Sequence, residues 1–85
     1  MANRKKTVKV RIVKSKLRRE RALGVYYPKL KLIKIDSRLT PKHYLSILVH
    51  ELLHYVYPHL TETAVKQGAP KIAQQIWNEQ YRRLG

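Results

Sequence analysis

Val49-His50-Glu51-Leu52-Leu53-His54-Tyr55 is the stretch from which the rest of the chain is read. Histidines at i and i+4 lie one above the other on a helix, so His50 and His54 can direct two imidazole nitrogens at one metal ion. Glu51 projects roughly 100° further around the axis, near enough to reach a water at such an ion without being a ligand. The surrounding sequence makes a well-marked helix. Thr40-Pro41 supplies an N-cap hydroxyl and a proline at the first helical position. Tyr44, Leu45, Leu48, Val49, Leu52, Leu53 and Val56 recur at helical spacing, and Pro58 stops the helix near Tyr57. An apolar surface this broad implies burial on most sides. Two imidazoles and a carboxylate buried there without partners would cost several kcal/mol, so a metal or a closed hydrogen-bond network is expected.

A catalytic zinc takes three protein ligands and leaves one position open. Downstream, Leu60-Thr61-Glu62 reads as the start of a second helix with Thr61 as its N-cap. The short turn through Pro58 and His59 folds that helix back beside the first. Glu62 is therefore the expected third ligand, and His59, in the turn itself, is the alternative. A carboxylate near a helix N-terminus is also favoured by the helix dipole alone. The chain has five acidic residues, Glu20, Asp36, Glu51, Glu62 and Glu79, and two of them fall in this hairpin. A ligand on a helix is also held more rigidly than one on a turn.

His50-Glu51-x-x-His54 followed by a glutamate on the next helix resembles the gluzincin branch of zinc metallopeptidases in a very small form. The order of parts, a few strands, a metal helix and a closing helix, is also similar to small SprT-like domains. The likeness is specific to the motif over residues 47–65 and architectural elsewhere. His54 and Glu62 are closer in sequence than their counterparts in most gluzincins, and the SprT-like pattern has a third histidine, for which only His59 is available. The resemblance implies Zn2+ as cofactor and hydrolysis of a peptide bond in a peptide or protein substrate. It makes His50 and His54 ligands and Glu51 the general base. Tyr57, His59 and Tyr81 are the candidates to stabilise the oxyanion that develops as the carbonyl becomes tetrahedral.

Eighty-five residues make one domain with a small core. With no cysteine there is no disulfide framework, so a bound metal is a plausible source of extra stability, and a reducing compartment is compatible. The basic N-terminus leads into alternating residues rather than an apolar run, unlike a signal peptide. No segment approaches the roughly 20 apolar residues of a membrane span. A cytoplasmic location without membrane association is the expectation. The formal net charge of +14 favours polyanions, nucleic acid first among them. Tyr26 and Tyr27 could stack on bases, but packing in a sheet is the preferred reading. An alternative function follows: a basic nucleic-acid-binding or regulatory module with a structural, non-catalytic metal site. Amide hydrolysis outside proteins is a further option for the same geometry.

Residues 1–6 read as a flexible basic arm and 7–85 as a single zincin-like domain. Thr7 to Val13 alternates with Val8, Val10 and Ile12 on one face, a half-buried strand. Lys14 to Arg21 is a charged loop or a turn or two of helix. Leu23 to Tyr27 and Leu30 to Ile35 read as two strands joined by a hairpin at Pro28-Lys29. Val65, Ala69, Ile72, Ala73, Ile76, Trp77 and Leu84 give the second helix its apolar face, and Pro70 predicts a kink or break at 66–70. The expected fold is α+β: a small antiparallel three-stranded sheet, the metal-binding helix, then a second, kinked closing helix.

Overall fold

The computed structural model describes residues 9–17 and 22–81, excepting the side chains of Gln80 and Tyr81. The basic arm 1–6, the start of the expected first strand at Thr7 and Val8, part of the charged stretch at 18–21, and Leu84 lie outside the described residues. Strands β1 (Arg11–Ser15), β2 (Gly24–Tyr27) and β3 (Leu32–Asp36) are followed by helices α1 (Pro41–Val56) and α2 (Glu62–Ile76). The fold is α+β, as a run of strand-like segments followed by helix-like ones implies.

The sheet order is β1-β3-β2. β2 and β3 pair antiparallel through a 3-10 turn at Pro28–Leu30 closed by Lys31 in the left-handed region (φ 49). β1 pairs parallel with β3, so the sheet is mixed rather than wholly antiparallel. The reason lies in the connection after β1. Instead of folding back as a hairpin, the chain passes across the end of β3, where Ser37 N–H bonds Ser15 O and Asp36 N–H bonds Leu23 O. β2 thereby enters on the far side of β3.

Paired residues share a face, and i, i+2 positions alternate between faces. Gly24, Tyr26, Ile33 and Ile35 turn toward α1, and both isoleucines are fully buried. Ile12 shares that face but is 42% exposed, because β1 is an edge strand and α1 packs mainly on β2 and β3. The half-buried strand expected from its alternation is thus a mostly exposed one. Arg11, Val13, Val25, Tyr27, Leu32, Lys34 and Asp36 form the opposite face.

Thr40 caps α1 as its sequence predicts, its hydroxyl accepting from His43 N–H, and Thr61 caps α2 by accepting from Ala64 N–H. The helices pack through Leu45 and Val49 of α1 against Val65, Ala69 and Ala73 of α2, with Leu53, Ile76 and Trp77 at the margins. Each set steps by four residues, the ridge that an α-helix presents to a neighbour. No break occurs at 66–70. Pro70 is exposed and its ring is carried inside α2, the missing N–H costing one backbone bond. The regular helix instead gives way to a π-helical turn at Trp77–Tyr81.

Asp36 ends β3 and fixes the exit toward α1. Its carboxylate accepts from Arg38 backbone N–H and Nε, both at 2.9 Å, and from Arg38 Nη2 at 2.6 Å. These bonds hold the carboxyl well below the usual aspartate range.

Candidate metal centre

Two capped helices and a short turn place the three side chains. Tyr57 N–H bonds Leu53 O, Leu60 N–H bonds Tyr57 O and Val65 N–H bonds Thr61 O, so the backbone is bonded at each step of the reversal. Val65, fully buried, pins the first turn of α2 against α1. Glu62, three residues earlier on the same helix face, meets the histidine stripe of α1. His54 Nε2 lies 2.8 Å from Glu62 Oε1, and His50 Nε2 lies 3.3 Å from Glu62 Oε2. One carboxylate thus spans both imidazoles.

His50, His54 and Glu62 each offer a ligand atom, and the three atoms lie within 4.8 Å of one another. A tetrahedral zinc spaces its ligands by roughly 3.4 Å, given bonds near 2.1 Å, so the 2.8 Å contact of His54 with Glu62 must open slightly to admit such an ion. Two imidazoles and one carboxylate form a donor set that suits zinc and other first-row ions. The group can hold a metal ion. His59, the alternative ligand, is exposed on the turn and does not belong to it.

Glu51 occupies the next position around α1 and is 9% exposed. Burial pushes its carboxyl above the ordinary glutamate range; His50 and His54 draw it down, and Glu62 raises it. Gly24 lets β2 come this close. A Cβ at Gly24 would stand 2.5 Å from Ile47 Cγ2 and 3.3 Å from both Cγ and Oε2 of Glu51. The spacing of strand and helix is therefore set where the carboxylate sits.

The resulting cleft has a volume of 430 Å³ and is lined by Gly24, Val25, Tyr26, Pro28, His50, Glu51, His54, Pro58 and Glu62. Among the described residues, no lysine or arginine contributes to it. Of the candidate oxyanion donors, Tyr57 is 58% exposed and not part of the lining, and His59 is likewise outside it. Tyr81 closes the π-helical turn, and its side chain lies outside the described residues. The β2 wall was not foreseen as functional. Its one legible signal was Gly24 within a strand-like run, a pattern that marks close backbone approach. Tyr26 packs edge-on against Tyr55 of α1, with centroids 5.9 Å apart, which agrees with a sheet-packing role.

Among the described residues no helix is long and apolar enough to cross a membrane. No protein-family model, curated protein or solved structure matches this chain.

Proposed function

We propose that the protein is a zinc-dependent peptidase of minimal zincin type. The observation that carries this reading is the convergence of His50, His54 and Glu62 within ligand distance, with Glu51 buried beside them at one cleft. A bound zinc would supply Lewis acidity there, polarising a carbonyl and lowering the pKa of a water. Glu51 takes the proton of the attacking water and delivers it to the departing amine. The carboxyl's low exposure and raised affinity for protons suit it to both steps.

The cleft also offers a way to hold an extended chain. Leu23 O accepts from Asp36 N–H across the antiparallel pair, and ladder bonding recurs at every second residue. By that parity Val25 and Tyr27 bond inward to β3. Gly24 and Tyr26 turn their N–H and C=O groups to the free edge of β2. A peptide adding there as a further strand lies along the cleft above Glu51. β2 is Gly-Val-Tyr-Tyr and carries no cation, and the basic strand is β1, on the opposite edge. Charge on the lining strand therefore gives no preference for acidic substrates.

The test is metal content together with cleavage of a random-sequence peptide library. Protein purified without metal-affinity resin and supplied with zinc should hold about one ion per chain. His50→Ala and His54→Ala should lose it. Glu51→Gln should keep the ion and lose cleavage. Wild-type protein that takes up no metal would end this reading.

A further inference from the structure

The outer face of the sheet carries Arg11 and Lys34, with exposed Lys9, Lys29 and Lys31 at its end and turn. Arg11 and Lys34 lie on neighbouring strands of this face, one residue pair apart diagonally, since Arg11 stands opposite Leu32 and Val13 opposite Lys34. Lys34 Nζ lies 5.6 Å from the centroid of the Tyr27 ring on the same face. Lys31 is brought to the head of β1 by the bond from Arg11 N–H to its carbonyl, and Lys29 sits in the same turn. Lys9 precedes β1 and is exposed.

Nothing acidic offsets this group on the strands. Asp36 is their one acid, and it is engaged by Arg38 at the far end of β3. Of the other acids among the described residues, Glu51 and Glu62 belong to the cleft and Glu79 to the π-helical turn. Among the described residues, the helices meet the sheet chiefly through α1 on its inner face. Among the described residues Leu32 and Asp36 of this face are buried, and exposed Arg11 and Val13 with half-buried Tyr27 and Lys34 remain for a partner.

We infer that this face binds single-stranded nucleic acid without sequence preference. The charge complementarity is with a phosphate backbone, for which clustered Arg and Lys provide counterion release. Tyr27 and Val13 add a surface on which unstacked bases can rest, as in other sheet platforms for single strands. A duplex offers only phosphates to such a face, because its bases are stacked inside. An anionic membrane would use the cations but not the tyrosine set among them. The inference stands apart from the proposed peptidase activity, because none of these cations lines the cleft.

The experiment is fluorescence anisotropy of the full chain with a mixed-sequence single-stranded oligonucleotide, the matching duplex, and phosphatidylcholine vesicles containing phosphatidylserine. Binding should favour the single strand. Its affinity should fall with salt at a log–log slope of about −2 to −3, as expected for three or four phosphate contacts. Arg11→Glu with Lys34→Glu should weaken it roughly tenfold or more and flatten the slope by about one unit or more. Arg11→Gln with Lys34→Gln, a milder pair that preserves the fold if charge reversal does not, should weaken it in the same direction. Lys66→Glu with Lys71→Glu on α2 is the control for diffuse charge and should change affinity much less. Tyr27→Leu should narrow the preference for single strand over duplex. Equal losses in the control pair, binding to vesicles alone, or no binding at low salt would each overturn the inference. Glu51→Gln should leave binding unchanged, so failure of the peptidase reading is scored separately.

Discussion

Helices α1 and α2 and the three-stranded sheet treat charge in opposite ways. On the helices, Glu51 is buried and Glu62 is shared between two imidazoles, so each ionisable group of the cleft has a defined neighbour. On the sheet and its turn, Lys9, Arg11, Lys29 and Lys31 are exposed, and the only strand acid is committed to Arg38. The first arrangement fixes chemistry at a point, because buried groups interact strongly and tolerate little displacement. The second creates a field whose strength depends on salt. Among the described residues, the cleft lining carries no lysine or arginine, while Arg11, Lys14 and Lys34 lie on the strands.

The largest effect that would sharpen this contrast is at Glu51. Glu51→Gln keeps the shape of the residue and removes proton transfer, which is worth about 10²–10⁴-fold in rate. Metal content should be unchanged in that variant. A Glu51→Gln protein that still cleaves peptides at the wild-type rate would show that the buried carboxylate is only a packed group. Next comes the ligand set. Glu62→Ala removes the carboxylate that spans His50 and His54 and should weaken zinc affinity sharply, whereas His59→Ala should not. Calorimetric zinc titration of the two variants checks the ranking, and the reverse order would move the third ligand to the turn.

The helical hairpin was legible because its determinants are local. Thr40-Pro41, Pro58 and Thr61 mark the ends by chemistry acting within one turn of the chain, and the i, i+4 histidine spacing needs only a helix to acquire meaning. Glu62 could be nominated from the same logic, since a short turn between capped helices brings the start of the second beside the end of the first. The sheet was legible as strands but not as a topology. Parallel pairing of β1 with β3 depends on a connection across the end of β3, and no residue pattern within β1 announces it. Alternation was also a poor guide to burial there. Ile12 has the inward register of a core residue yet stays exposed, because the helix above the sheet does not extend over the β1 edge. Pro70 predicts a kink or a break by its local chemistry, and α2 carries it without a break, with Ala69 and Ala73 on either side packed against α1. The cleft wall was missed for the same reason as the topology: β2 becomes an edge strand over α1 only after the sheet is assembled.

Gly24 tests whether the two regions are joined as tightly as their contact implies. In Gly24→Ala the added methyl would overlap Ile47 Cγ2 and crowd the Glu51 carboxylate, so β2 must shift away from α1. Overpacking of this kind costs about 1–3 kcal/mol of stability. Cleavage should fall further than that loss alone predicts at temperatures where the variant is fully folded, because the proton-accepting group is displaced. Thermal unfolding and the cleavage rate, measured on the same sample, separate the two effects. A variant that loses stability but keeps its rate would show that the strand and the carboxylate are independent.

The smallest expected effect lies at the joint between sheet and helix. The folded Asp36 carboxyl titrates below its unfolded value, held there first by its hydrogen bonds from the Arg38 side chain and backbone. A depressed carboxyl contributes stability that is complete above the ordinary aspartate range and is lost as pH falls through the folded value. Wild-type unfolding temperature should therefore drop on the acid limb, below about pH 4, the unfolded aspartate range. Asp36→Asn should be less stable than wild type at neutral pH, since it loses the ionic partner of Arg38, and the two curves should converge as the pH is lowered. Parallel curves would assign the acid sensitivity to other carboxyls and reduce Asp36 to a helix-entry cap. Metal-free protein is the sample to use, so that acid release of a bound ion does not add to the change. The sheet and its one committed acid can then be read without interference from the cleft.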